Sequence, residues 1–504
     1  MSRLRGWFVV ALLVTCAAPG AASAAWSGTG TASSRVTAAT MPAGVAPTVS
    51  ISSHNVTVTW SATTLLGQSA SGYTVKRYDA GNTAQTVGSG CSGTLTGLTC
   101  TESSVPPGTW TYTVTPLLHA WSGSESAHSA SATIQSPGLS ITSATTLTSL
   151  PATVTASITG YTQGETVAFK LDSAAGTTLA STLSPTSVPA SGSATATITV
   201  PAGTAQGSHT IYAVGSVGDS ASTTFTVNRP TVSGAVIAKS AGGAAGYIKQ
   251  GGTYYVYANV TGSGTPPAGL GSLTADVSAV TPGQTAAALT SGSYTVGGQS
   301  YSYRSAQLTA NSALGAGSDS FTLKLTDSAG TATSTSYSVT VDNTAPRASD
   351  IQTANVAGGT AGKPELGDTM TLTYSEAIDP NSLESGWTGP STPVIVKIVD
   401  GNGSHDDTLQ VFSGSTQLPI GTIDLGRNDY VTTTVTFGAS GTASTMVLSA
   451  SAITLTLGTP SAPAGTAAGN GTMIWTPSAT VTDPAGNAMS TTAVNESGSA
   501  DKDF

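Results

Sequence analysis

The residues able to do chemistry are few and scattered. His54, His119, His128, His209 and His405 stand in separate stretches, with no H-x-x-x-H pair and no Cys/His cluster to ligate a metal. Neither a G-x-S-x-G elbow nor a G-x-x-x-x-G-K-S/T phosphate loop occurs. Serine is abundant, but a hydroxyl without a base and an oxyanion hole is only a polar surface group. The sequence therefore predicts a protein that is not an enzyme.

Three constellations remain. Asp400, Asn402, Ser404 and Asp406 place oxygen-bearing side chains at every second position, a spacing able to wrap calcium. His405 stands where an EF-hand loop needs glycine and Val411 where it needs a bidentate glutamate, so a plain hairpin loop is the competing reading. Asp342 and Asn343 offer a second calcium candidate. Calcium is the only cofactor the sequence raises. Cys91 and Cys100 remain as a pair once a leader is removed, and an even count in an exported chain predicts a disulfide. Aromatic residues form the third group. Tyr255 with Tyr257, and Tyr301 with Tyr303, are spaced to share a strand face, and Trp387 lies further on. Tyr301, Tyr303 and Trp387 are the candidate carbohydrate contacts, against a competing role as core filling.

The elements holding these groups are strands. Charged residues make up 8% of the chain and hydrophobic residues 38%, which fits neither a disordered nor a membrane protein. Ala194, Ala196, Ile198 and Val200 alternate with Thr195, Thr197 and Thr199. Phe321, Leu323 and Leu325 repeat the period, as do Tyr337, Val339 and Val341, then Met370, Leu372 and Tyr374, then Ile453, Leu455 and Leu457. Such alternation sends one set of side chains inward and the other to solvent. No amphipathic helix is evident beyond the N-terminus. The prediction is an all-β chain of tandem immunoglobulin-like β-sandwich domains after a signal peptide.

Arg3 and Arg5, the apolar run 7–18 and Ala22-Ser23-Ala24 make residues 1–24 a cleavable signal peptide, with lipidation at Cys16 as the alternative. Residues 25–44 read as a flexible leader. The mature chain has no apolar run long enough to span a bilayer. Its net charge, −9 for the whole chain and −11 once the two signal arginines are gone, argues against nucleic acid as a partner. Pro47-Thr48-Val49-Ser50 returns as Pro230-Thr231-Val232-Ser233, with Pro137-Gly138-Leu139-Ser140 between them. With Pro346 closing a further seam, the divisions are 45–136, 137–229, 230–345 and 346–504, the last two carrying insertions and the last a short polar tail.

Residues 45–136 resemble a fibronectin type III domain. Trp60 ends one strand, Gly72–Tyr78 matches the third strand, and Pro107-Gly108-Thr109-Trp110-Thr111-Tyr112-Thr113-Val114 matches the late P-G-T-x-Y-x-Y-x-V strand. Trp110 replaces a family tyrosine, which leaves the tyrosine-corner hydrogen bond open. The other three divisions resemble bacterial Ig-like domains. Gly207–Val214 with Phe225–Val227 looks like their closing hairpin, and Thr326-Asp327-Ser328-Ala329-Gly330 and Thr482-Asp483-Pro484-Ala485-Gly486-Asn487 share one turn motif. The resemblance implies a bacterial secreted or cell-surface protein. The expected role is structural or adhesive, with a polysaccharide or protein surface of the cell wall or extracellular space as partner. The alternative is a carbohydrate-binding accessory to secreted hydrolases. Location is expected to be extracellular or loosely wall-associated.

Overall fold

The structure is a computed structural model and describes residues 38–264 and 266–504. The expected signal peptide (1–24), Cys16 and the expected leader up to residue 37 lie outside the described residues. Two compact units are present. Of the described residues, one holds 38–50 with Val56–Ser103 and Thr109–Ala132; the other holds Ile51–Asn55, Ser104–Gly108 and Thr133–Phe504. The fold is all-β, a series of β-sandwiches. Among the described residues no helix is long and apolar enough to cross a membrane.

In the first unit a three-stranded sheet (Thr48–Ser52, Asn55–Thr59, Thr99–Glu102) packs with one built on Gly108–Leu118 and Gly72–Tyr78. Val56, Val58, Trp60, Tyr112 and Val114 fill the space between. Trp60 packs 5.6 Å from Tyr73, and Cys91 is bonded to Cys100. The Tyr112 hydroxyl donates not to a corner backbone group but to Glu102 Oε2 (2.8 Å). Arg77 Nη1 and the Gly88 N–H hold Glu102 Oε1 at 2.6 and 2.7 Å, so the buried carboxylate is fully matched. Trp110 stacks instead on the Arg77 guanidinium, 4.4 Å from ring centroid to Cζ. One expectation fails here. Met41, placed in a flexible leader, is buried against Leu65 and Leu118, because an apolar side chain beside an apolar hollow gains by leaving water.

Among the described residues of the second unit, three large hydrophobic cores stand apart, with a smaller cluster around Tyr257. Leu147 to Val227 supply the first, between two four-stranded sheets. Its strand Ala194–Val200 buries Ala194, Ala196, Ile198 and Val200 and exposes Thr195 and Thr197, as the period-two pattern requires. The expected hairpin of Gly207–Gly215 with Ser220–Val227 is antiparallel and continuous. A second core runs from Ile237 to Val341. Here the strands Thr231–Lys239, Thr253–Thr261, Gln299–Ser305 and Ala287–Val296 lie side by side, and the last continues through Leu270–Asp276 into the opposite layer, Gly317–Asp327 and Ala332–Val341.

The third and largest core, Ile351 to Phe504, surrounds Trp475, whose ring meets Tyr374 edge-on at 5.0 Å. The stretch expected to be a polar tail belongs to this core. Val494–Asn495 pairs with Ile474–Thr476, Phe504 is 2% exposed, and the buried Asp503 accepts from Thr353 Oγ1 (3.0 Å) and Tyr430 (3.2 Å). A terminal aromatic ring with an apolar socket outweighs the polarity of the residues before it.

The turn motif shared by 326–330 and 482–487 does two jobs. Locally, Asp327 Oδ1 accepts from the N–H groups of Ala329 and Thr331 while Gly330 takes φ +88°. Asp483 Oδ1 accepts from Gly486 and Asn487, with Gly486 at φ +93°. This is the hairpin chemistry expected of Asp and Gly. Each turn also grips the sandwich before it. Asp327 pairs with Arg229 and accepts from the Leu150 N–H, while Thr331 Oγ1 donates to Leu150 O. At the later turn, Lys239 Nζ donates to Asp483 O (3.0 Å), Lys249 Nζ to Gly486 O (2.6 Å), and Asn487 Nδ2 to Asp342 O (2.8 Å).

Candidate functional site

The aromatic residues separate into two populations. Tyr303 faces inward at 4% exposure and belongs to the core with Tyr254. Tyr301 lies on the outer face with Tyr255, Tyr257 and Tyr294. The expectation that Tyr301 and Tyr303 share a face is thus corrected. The register slips between Ser291 and Tyr294, one extra residue entering that strand, and Ser302 donates its N–H to the Asn259 side chain (2.8 Å). A bulge of this kind, in the Ala287–Val296 strand, bends and twists the pair and sets Tyr294 opposite Tyr301. Glycine at 292 permits it: a Cβ there would lie 2.5 Å from the Tyr294 hydroxyl. Tyr255 and Tyr257 do share a face, their rings 6.0 Å apart.

Arg304 stands at the centre of this outer face. Its guanidinium carbon lies 4.2 Å from the Tyr255 ring centroid and 4.4 Å from that of Tyr294. Tyr257, at 5% exposure, packs edge-on against Tyr294 (6.2 Å) and at a tilt to Tyr301 (5.7 Å). Burial raises the Tyr257 hydroxyl pKa, an effect partly offset by the hydrogen bond and positive charge of Arg304. None of the four strands that form the face carries Asp or Glu. The ion pairs among the described residues fall elsewhere, so Arg304 has no carboxylate partner there.

Val296 links this face to a cleft of about 470 Å³ lined by Gly243, Thr295, Asp379, Asn381 and Trp387. Trp387 is 8% exposed, belongs to the core around Trp475 and donates its Nε1 to Pro390 O (2.7 Å), the core-filling alternative to a carbohydrate contact. The buried Asp379 carboxylate pairs with Lys239 at 2.5 Å. It also fills the space a Cβ on Gly243 would take, and Gly243 itself has φ +85°.

The acidic loop is the connection of a hairpin, Thr392–Val399 with Thr408–Ser413. Asp400 Oδ1 accepts the Asn402 N–H (2.8 Å), and Asn402 takes φ +58°. The loop is organised by Asp407, one residue beyond the four candidates. Its buried carboxylate accepts from Gly401 (3.0 Å) and Val431 (3.0 Å), and burial raises its pKa. Ser404 and Asp406 are exposed. At the other candidate, Asn343 is committed to the backbone, accepting from Gln250 N and donating to Leu314 O. Asp342 lies near Glu376 and Asp483, the carboxylates within 4.8 Å of one another. Burial and then these neighbouring charges raise the Glu376 pKa.

His209 Nδ1 meets Asp172 at 2.9 Å, the arrangement of an acid holding a base. Its Nε2, however, faces the carbonyl of Ala205 (3.0 Å), so no nucleophile is served.

No protein-family model matches the sequence, and no curated protein is significantly similar to it. Solved structures resembling it include a tetra-tandem repeat in the extending region of a large adhesion protein (15% identity, 91% of this chain and 100% of that one, TM-score 0.21). The FN1-FN3 domains of chicken CNTN1 are similar at 8% identity over 60% of this chain and 99% of that one, TM-score 0.18. SGBP-B of the Bacteroides ovatus mixed-linkage glucan utilization locus, in complex with a mixed-linkage heptasaccharide, is similar at 14% identity over 86% of this chain and 96% of that one, TM-score 0.15. The β-sandwich fold itself rests on the sheets and cores described above.

Proposed function

We propose that the chain is a secreted, non-enzymatic structural or adhesive protein of the bacterial cell surface or extracellular space. The observation that carries this is the way consecutive sandwiches of the second unit are joined. Each has its own core, and each later one holds its predecessor through a hairpin turn and a cation from that predecessor, Arg229 in one case and Lys239 in the other. A row of separately cored domains with fixed joints presents loops and sheet faces at set spacing, the use to which such scaffolds are suited. A carbohydrate-binding accessory role is the second reading, favoured by the tyrosine face around Arg304.

Fractionation of producing cells, with the mass of the mature N-terminus, tests the first reading. Recovery of a chain beginning at Ala25 in the medium or wall fraction supports it. Recovery of the intact 504-residue chain only inside the cell overturns it.

A further inference from the structure

We propose that Arg304 and the tyrosines around it form a docking face for a carboxylate-bearing polysaccharide. The Arg304 guanidinium carbon lies over two rings, 4.2 Å from the Tyr255 centroid and 4.4 Å from that of Tyr294, and a guanidinium placed so can take a carboxylate through two parallel hydrogen bonds. Tyr257, opposite Arg304 across the strand pair, packs against Tyr294 and Tyr301 and so braces the rings of this face. The half-buried rings of Tyr255, Tyr294 and Tyr301 supply flat apolar surface for the C–H faces of sugar rings, and their hydroxyls supply polar partners.

Charge complementarity selects the occupant. The chain has 16 Lys and Arg against 25 Asp and Glu, yet this cation stands on four strands without a carboxylate. A neutral glycan would stack on the rings but leave the fork unmatched. A nucleic acid would need several phosphate contacts from a chain of net charge −9, whereas these strands carry Arg304 and a Lys239 already paired with Asp379. An acidic sugar polymer needs one cation per engaged residue, and its affinity accumulates over repeated weak contacts.

The proposal rests on the extracellular reading only for the supply of such a polymer. Retardation of the full chain in native gels containing polygalacturonate, alginate, dextran or a dT20 oligonucleotide tests it. Retardation by polygalacturonate or alginate, weakened by salt and absent with dextran and dT20, is the expected result. Arg304→Met is expected to weaken it by about tenfold or more, Arg304→Lys by less, and Tyr301→Ala by about three- to tenfold. Thermal melts of each variant show whether the fold is kept. No retardation by either uronate polymer overturns the proposal, as does equal retardation by dT20. Unchanged retardation of a folded Arg304→Met variant also overturns it, showing that the stacked cation is a packing group alone. That last result leaves the extracellular reading standing, whereas intracellular retention of the chain refutes that reading without touching this face.

Discussion

Arg229 Nε lies 3.1 Å from the Asp327 carboxylate, whose side chain is wholly buried where two sandwiches meet. Asp327 has no access to water, so its charge is matched by this guanidinium and by backbone N–H groups from Leu150, Ala329 and Thr331. Truncating the cation leaves a buried carboxylate short of its partner, which costs about 3–5 kcal/mol. Arg229→Met should therefore lower the midpoint of urea unfolding for the second unit. The Arg229→Met, Asp327→Asn double variant should recover part of the loss. A change below about 0.5 kcal/mol in the single variant would mean that the pair adds nothing to the joint.

Glu102 makes the same prediction inside the first unit. It is held by Arg77, Tyr112 and the Gly88 N–H, with almost no exposed surface. Arg77→Leu removes the compensating charge and strands the acid, again about 3–5 kcal/mol. Glu102→Gln keeps the shape and acceptor oxygen and should cost less. Chemical denaturation followed by Trp60 fluorescence, with the other tryptophans replaced by Phe, would rank the two.

The disulfide closes a short loop, with Cys91 and Cys100 nine positions apart. Restricting so small a loop in the unfolded chain stabilises by about 2.5–3 kcal/mol. Reduction, or Cys91→Ala with Cys100→Ala, should lower the first unit's calorimetric transition and leave that of the second unit in place. A shift of both transitions would contradict the assignment of the bond to one unit.

Near the C-terminus, burial and then the charge of Asp503 push the Glu496 pKa up to about 7, with Asp501 adding to the effect. The Asp503 pKa is also raised, with burial as the first cause. A carboxyl whose folded pKa exceeds its unfolded value of about 4.3 binds protons more tightly when folded. Its contribution is therefore present below about pH 4 and is lost as pH rises through 7. Tm should rise by about 2–4 °C between pH 8 and pH 5, and Glu496→Gln should flatten that profile. A profile unchanged by Glu496→Gln would place the pH dependence in other groups.

How much of this could be read in advance divides by range. Period-two alternation is local, and it located the buried sets of Ala194–Val200, Phe321–Leu325 and Met370–Tyr374. The Asp-Gly turns at 326–330 and 482–487 were equally visible, because an aspartate and a left-handed glycine act within five residues. Tyr301 was misplaced relative to Tyr303 because its ring partner, Tyr294, is set opposite it by a register slip in the neighbouring strand. Arg304 carried no signal as a single residue. Only the pairing of Tyr257 with Arg304, and of Thr290 with Arg304, brings the rings around it. The burial of Met41 and Phe504 is invisible for a related reason: both sit in polar, small-residue stretches, and their sockets come from distant parts of the chain.

The double use of the Asp-Gly turn has a mechanical consequence. The loop that stitches a domain's hairpin is also the hand that holds the preceding domain, through Arg229 at one joint and through Lys239 and Lys249 at the next. Prying two neighbours apart strips partners from the turn itself, and melting the hairpin lets go of the neighbour. Under tension, a joint and its hairpin should give way in one step, and both should have to re-form before the row can bear load again.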